Sequence, residues 1–445
     1  MTQHSGEVAA SPQSSHAVEV PVEEAGRYHV IVVGGGLSGV CAAVASARTG
    51  ARTLLVEALP FVGGNGTTGL PISGLRARNS EVLVVRGLVA EILDLMRHRG
   101  AVSGNFARQD WIAVDAEQLQ LVLGHLLESA GVSLLTYSPL LAAVRAGVRI
   151  SDAVFYNKDG RALRYRAEMF VDTTGDAQVA RLAGLTTPMG RQRDGRTQTM
   201  SLVFSVAGID ERRTPPDDAV VDLWHRWQES GTIRRNQRRN PSINNVINRP
   251  GWRSFIATRI HVPKGTDNRL LALAELEGRK QIEEFVESFL RPHVPGYEHC
   301  FLAQIANHMG VRETRRISGL YEMSVTDLLT GRKFPDSIAC NASSVENHQP
   351  DSGSAEWQHL HDGDYYTIPY RSLVAREVDN LLASGRCISA SHEALAALRV
   401  LSPSMATGQA AGTAAALAAL ERTSAHELDP ELLRAALRSS GAIVD

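Results

Sequence analysis

The sequence has little net charge, few cysteines and no long uncharged apolar run, and each shortage excludes something. A formal charge of −2 over 445 residues argues against a dedicated nucleic-acid binder, whose surface is strongly basic. The four cysteines, Cys41, Cys300, Cys340 and Cys387, are scattered and form no Cys-x-x-Cys pair. No dithiol couple, iron–sulfur cluster or zinc site is therefore expected, no metal ligand is assigned, and no oxidising compartment is implied. No stretch of about 18 apolar residues is free of charge, so no transmembrane helix and no membrane partner are expected. Lysine occurs only at 158, 264, 280 and 333; the Arg and Ala bias reads as base composition and not as function. No internal repeat is visible.

The length suffices for two domains, each with its own core. Met1 to about Gly26 is polar and lacks the basic start and apolar centre of a signal peptide, so a disordered tail over 1–26 and a cytoplasmic, soluble protein are expected. Order is expected from His29. His29–Val33 is a β-branched run suited to a strand buried on both faces. It leads directly into Gly34-Gly35-Gly36-Leu37-Ser38-Gly39, a Gly-x-Gly-x-x-Gly turn. Gly34 allows the tight turn, Gly36 lets a pyrophosphate approach the backbone, and Gly39 lets the following helix lie on the strand. That helix, about Leu37–Thr49, points its N–H groups and positive end at the phosphate.

Arg52–Val56 forms the second strand. It ends at Glu57, next to Ala58, where a carboxylate can hydrogen-bond an adenosine ribose. A second glycine turn, Gly63-Gly64-Asn65-Gly66, follows within a few residues. An NAD domain would normally run into a crossover helix here; an extended loop can instead follow a longer dinucleotide. Glu-x5-Gly-Gly after Gly-x-Gly-x-x-Gly resembles the glutathione-reductase-type FAD domain, and this resemblance implies FAD as cofactor. It also implies a three-stranded meander (Leu140–Val144, Val148–Tyr156 and Ala162–Ala167), with the backbone near Val144 at the adenine. A third flavin contact is implied at Gly175 and Asp176, after the strand Met169–Val171.

Helices are predicted at Val82–His98 and from the cap Asp115 to about Ala130. From about Arg191 to Tyr370 the pattern changes to a mixed α/β insert, with strands near Thr197–Val206 and Ser254–Val262 and a helix near Ala274–Phe289. Arg234, Arg235, Arg238 and Arg239 read as a solvated loop. The expected fold class is α/β, a Rossmann-like FAD-binding domain over 27–185 and 372–445 with a substrate domain over 186–371 inserted. No second Gly-x-Gly-x-x-Gly exists for a separate nicotinamide domain.

Near the C-terminus, Ser402 as N-cap and Pro403 at the first helical position start a helix. Its Gly408 and Gly412 share one face, and its N-terminus, with Ser404 and Met405, is expected to address the flavin. The blocks Gly310–Ile317, Ile368–Leu373, Gly385–Ala394 and Gly408–Gly412, together with the first motif, resemble the bacterial FAD-dependent oxidoreductase family from about residue 28 to 420. The family often has Asp-x-His after its Phe-Pro-Asp block, where this chain has Glu346-Asn347-His348. The iron–sulfur cysteines of its heterodisulfide-reductase relatives are absent.

The resemblance implies an oxidoreductase acting on a small organic molecule, with O2, NAD(P) or a redox protein as electron acceptor. Hydride removal from a C–H next to N or O is the leading expectation. A fumarate-reductase-like reduction of a double bond is the alternative, and a tRNA-modification partner or flavin scaffold is the alternative of another class. His392 and His348 are the candidate bases. Arg312 and Arg315 are candidate clamps for a substrate carboxylate, with Tyr370 and Arg371 nearby.

Overall fold

The computed structural model describes residues 19–104, 111–231, 233, 236 and 238–445; Arg234 and Arg235 fall outside them. Strand β1 runs Val22–Val33, β2 Thr53–Val56, β3 Ser133–Leu135, β4 Leu140–Ala146, β5 Arg149–Tyr156 and β6 Ala162–Asp172. They form one sheet in the order β3-β2-β1-β6-β5-β4, with Leu381–Ala383 also paired to β6. β3, β2, β1, β6 and Leu381–Ala383 run parallel, while β5 and β4 are the antiparallel meander. Alternation along β1 divides the core: Val30 and Val32 face one apolar layer, Ile31 and Val33 the other.

Two expectations change here. The first strand starts at Val22 and not near His29, because β1 is extended backwards by pairing with β6 from Ala162 across an irregularity at Glu24/Gly26. The meander's last strand and the strand before Gly175 are one continuous element, since β6 serves the meander with its first half and the parallel sheet with its second.

The helix Leu37–Arg48 lies against the long C-terminal helix Leu401–Glu421. Their contact is backbone to backbone. A Cβ on Gly408 would sit 2.2 Å from the carbonyl oxygen of Ser38, and one on Gly412 would sit 1.9 Å from that of Ala42. Neither carbonyl can move without breaking the first helix, so only glycine fits. The C-terminal helix begins at Leu401 after Val400, so Ser402 is inside the first turn and not its cap. The Ser402 hydroxyl instead donates to the Ser73 carbonyl, tying the turn to the loop before it. Pro403 is tolerated because first-turn N–H groups have no intrahelical acceptor to lose.

The insert is built around a four-stranded antiparallel sheet. Its strands are β7 (Phe204–Ala207), β8 (Ser242–Asn245), β9 (Arg253–Ile256) and β10 (Phe301–Ile305), in the order β10-β7-β9-β8. The helix Asp217–Glu229, which the polar composition of that stretch concealed, and the helix Asn268–Glu283 with its π-helical continuation Glu284–Leu290 complete it. The insert's core is aromatic: Trp224 lies 4.8 Å from Phe285 and 5.0 Å from Phe289 between ring centres, and Phe204 stacks on Phe255 at 5.4 Å. Residues between Met323 and Val374 pack into the core of the parallel sheet and not into this one.

Candidate active site

The opening turn is shaped for something not made of protein. Gly34 has φ +104°, and a Cβ there would press on the Thr173 carbonyl at 2.5 Å; a Cβ on Gly39 would meet the Gly34 carbonyl at 1.8 Å. Strand, helix and the β6 turn are therefore in near contact. Gly36 is the exception, because a Cβ there would meet nothing within 4 Å. Gly36 caps the helix with ordinary φ −62° and no side-chain hydrogen bond, which leaves the first-turn N–H groups and the positive helix end to face that space.

Glu57 stands beside it. Its carboxylate accepts the Gly35 N–H at 2.5 Å and the Leu59 N–H at 2.7 Å. Burial pushes its pKa up, with those N–H bonds opposing. The second glycine turn is locked on by the Gly63 N–H donated to the Gly35 carbonyl at 2.7 Å, and Gly63 and Gly64 both have positive φ, +104° and +49°.

A cleft of about 450 Å³ runs from Glu57 and Ala58 past Gly34, Gly36, Leu37 and Ser38 and along Gly63, Gly64 and Asn65. It passes Gly175 and Asp176 and reaches Arg386, Arg399, Leu401 and Ser404; the insert closes it with Gly265, Leu271, Glu275, His308, Met309 and Val311. The expected residues Gly39, Met405 and Gly408 do not line it. Gly39 and Gly408 set how closely backbones approach, and Met405 is buried. Val144 does not line it either: it is 40% exposed on β4, where its carbonyl accepts the Ser151 hydroxyl. From that part of the chain Ser138 and Leu140 line the cleft; the strand enters earlier in sequence than expected. Asp176 is not a helix cap, since Ala177 precedes the helix Gln178–Leu182; it accepts the Thr314 hydroxyl at 2.6 Å.

The four candidate catalytic residues are not brought together at the cleft wall. His392 is buried at the first position of the helix His392–Leu398. Its Nδ1 lies 2.7 Å from Glu313 Oε2 without hydrogen-bond alignment, and its Nε2 has no partner. Glu313 also accepts the Arg316 guanidinium at 2.5 Å and the Gln198 N–H at 2.9 Å. His348 is buried instead of lying in an open loop, and its Nε2 lies 3.0 Å from Glu346 Oε1 while Nδ1 faces Arg259 at 3.4 Å. Burial and the nearby Arg312 charge hold its pKa well below the ordinary value. Arg315 donates to the Asp176 carbonyl at 2.8 Å. Arg312 donates to the Thr199 carbonyl at 2.7 Å and to the Ser201 hydroxyl at 3.0 Å. Tyr370 and Arg371 are turned away, to the Ala425 carbonyl and to Asp336.

Sequence reasoning missed His308, Arg386 and Arg399. His308 sits in the loop after β10, its Nε2 2.8 Å from Asn65 Oδ1 and its buried Nδ1 without a partner. Burial, reinforced by the Arg386 charge, lowers its pKa. Arg386 lies across the Gly175 backbone, where a Cβ would meet its Nη2 at 2.2 Å, and its buried Nη1 is likewise unpartnered. Only the Gly310–Ile317 neighbourhood hinted at His308, and nothing local marks it.

An open glycine cradle at a helix start, a carboxylate at the end of the second strand and orphaned donors along one continuous cleft fit an extended dinucleotide, and define a flavoprotein of the doubly wound class. The chain matches the FAD dependent oxidoreductase family over residues 29–437 and belongs to it.

Among curated relatives, it is 36% identical over 113 residues to a tRNA uridine 5-carboxymethylaminomethyl modification enzyme of Bacillus velezensis, covering 24% of this chain and 18% of that one. The corresponding Bacillus subtilis enzyme is 44% identical over 64 residues, covering 14% and 10%. The matched part is thus under a fifth of those proteins. A solved geranylgeranyl bacteriochlorophyll reductase-like structure from Thermoplasma acidophilum aligns at TM-score 0.50 and 15% identity, over 94% of this chain and 83% of that one, which supports the fold. No helix among the described residues is long and apolar enough to cross a membrane.

Proposed function

We propose that this oxidoreductase is a dehydrogenase or oxidase that removes hydride from a C–H next to N or O of a small organic molecule. The observation that supports this is the single cleft joining the Gly36 cradle to a protein-lined end at His308 and Arg399. FAD supplies the hydride-accepting ring when bound.

The chain's own residues do the rest. Glu57 would accept from the ribose hydroxyls, Gly34 and Gly36 with the first turn of Leu37–Arg48 would hold the diphosphate, and Gly63, Gly64 and Asn65 would follow the extended molecule. The N-terminal turn of Leu401–Glu421, through Leu401 and Ser404, directs its positive end at developing negative charge. His308 takes the substrate proton at Nδ1, which has no protein partner while Nε2 faces Asn65 Oδ1. His392 packs against Glu313 of the Gly310–Ile317 block without a hydrogen bond to it and is assigned no proton transfer.

Hydride delivery to an activated double bond is the second reading, favoured by the guanidiniums at the cleft's end, which such chemistry uses to hold carboxylates. Anaerobic titration of the yellow protein separates the two. Bleaching of the 450 nm band by a reduced substrate supports dehydrogenation, whereas reoxidation of dithionite-reduced protein by an unsaturated acid overturns it. His308→Ala with normal flavin content is expected to lower kcat about 100-fold or more, the ordinary contribution of a general base. Unchanged turnover removes His308 from that role.

A further inference from the structure

Beyond the cleft's end lies a group of charges that the proposed chemistry does not use. Arg312 and Arg399 are half-buried, and Arg238 and Arg259 are buried with 6% and 9% exposure. They come from four distant parts of the chain: Arg238, Arg259 just after β9, the Gly310–Ile317 block and the residue that closes the helix His392–Leu398.

Within this group the identified carboxylate is Glu346, which already engages His348 at 3.0 Å. Glu313, also close to Arg399, is taken by Arg316. The remaining hydrogen bonds of the group go to neutral acceptors. Arg399 donates to Gln198 Oε1 at 3.2 Å, Arg312 to the Thr199 carbonyl, Arg259 to the Gln349 carbonyl at 2.6 Å and Arg238 to the Asn240 carbonyl at 2.9 Å.

Four guanidiniums gathered around Glu346, with Glu313 shared with Arg316, carry more positive charge than these carboxylates neutralise. Burial lowers the pKa of each of them; at Arg312 the neighbouring Arg399, Arg238 and Arg259 add to that. Glu346 is held at about 2, with His348, Arg399 and Arg312 overcoming its burial. Several donors around the group also end on nothing: Arg399 Nε, Arg238 Nη1, Gln198 Nε2 and Thr199 Oγ1 are buried and unpartnered. A buried donor without an acceptor is costly, and this many together mark a place that a ligand completes. Arg399 itself lines the cleft, and Val311, the neighbour of Arg312, does too. The group thus reaches the cleft through Arg399.

We infer that the end of the cleft is an anion site that binds a carboxylate of the substrate, with Arg399 and Arg312 as its direct donors and Arg238 and Arg259 as the field behind them. A planar guanidinium fork matches a carboxylate and discriminates it from an amide of the same shape, which is neutral and offers one oxygen. The inference rests on the reading that FAD lies over Gly36 with the substrate beyond it.

The test uses FAD-loaded protein and needs no turnover. Succinate, propionate, inorganic phosphate and the neutral succinamide are titrated by calorimetry and by the shift of the flavin absorption band. Succinate is expected to bind and to shift the band, with affinity falling as salt rises from 50 to 500 mM. Succinamide should bind at least tenfold more weakly. Arg399→Gln and Arg312→Gln, each checked for flavin content and melting temperature, should weaken succinate at least tenfold, and Arg399→Lys should recover part of that loss. If either Gln variant does not fold, the salt dependence and the amide comparison in the unaltered protein still decide.

Equal binding of succinamide, unchanged succinate affinity in the folded variants, or tighter binding of phosphate than of succinate overturns the inference. Succinate binding without flavin reduction by any carboxylate substrate leaves the anion site standing and sinks dehydrogenation. Bleaching by a neutral substrate that Arg399→Gln leaves unaffected does the reverse.

Discussion

The two halves of the molecule are packed by opposite means. In the dinucleotide half, Gly39, Gly408 and Gly412 let backbones meet where even a methyl group would collide. In the insert, Trp224, Phe285, Phe289, Phe204 and Phe255 fill the core ring against ring. One half is fixed by side chains that must be missing, the other by side chains that must be large. The first arrangement is unforgiving at single positions and sets the cofactor's seat to within a fraction of an ångström. The second tolerates exchange of one large apolar group for another and leaves its polar end free to vary with the substrate.

The largest effect expected from breaking this contrast is at the helix pair. Gly412→Val drives a branched side chain into the Ala42 carbonyl, and overpacking of this kind costs about 1–3 kcal/mol or more. The melting temperature and the bound-flavin content should both fall, whereas Phe285→Leu, an equally buried change in the insert, should lower the melting temperature and leave flavin content near normal. Equal flavin loss in both variants would show that the two packings are not separable.

Gly36→Ala sharpens the same point from the other side. Its Cβ would meet no protein atom, so apo-protein stability should change by less than about 1 kcal/mol, the range of a cap exchange. FAD affinity should fall at least tenfold, because the methyl group fills the diphosphate's place. Apo melting curves and flavin titration check both halves of this expectation; retained affinity would move the diphosphate elsewhere.

The smallest effect is in acid. His261, His308 and His348, all in or against the insert, have pKa values lowered chiefly by burial. A base whose folded pKa is depressed stays neutral in the fold while the unfolded chain takes up its proton. The stabilisation is therefore complete above about pH 6.5, the unfolded value, and is lost as pH falls towards the folded values. In the dinucleotide half, burial raises the pKa of Glu57 and Asp172. There the sign reverses: the folded form holds its proton more tightly, and stability is gained as pH falls through those raised values. Hydrogen exchange at pH 5.5 against pH 7.5 should show the insert around 253–311 losing protection first, and His348→Gln should reduce that difference. Uniform loss across both halves would contradict it.

What was legible in the sequence follows the same division. The opening strand, its glycine turn, Glu57 and the second glycine turn were readable because each needs one residue type at one spacing, and a missing Cβ is a local signal. The C-terminal glycine pair was readable for the same reason, although its helix starts two residues earlier than Ser402 and Pro403 suggested, since Val400 already has the extended geometry of a cap. His308, Arg386 and Arg399 were not readable as a group, because nothing near any one of them in sequence marks its use. His392 and His348 attracted attention by standing in family-like blocks, and both are buried against carboxylates. Val144 shows a third kind of error: the meander was recognised, but which of its residues turns towards the cleft depends on where the strand begins.

The pairing of Leu37–Arg48 with Leu401–Glu421 also has a consequence for how the protein comes into being. At roughly 5–20 residues per second of synthesis, the face of the first helix that receives Gly408 and Gly412 waits on the order of tens of seconds for its partner to leave the ribosome. Until then Ser38 and Ala42 have nothing laid across them, and the turn that is to hold the diphosphate lacks its second wall. The vitamin-derived cofactor would then be captured only after the helix Leu401–Glu421 has been made, so its capture reports the arrival of that second wall.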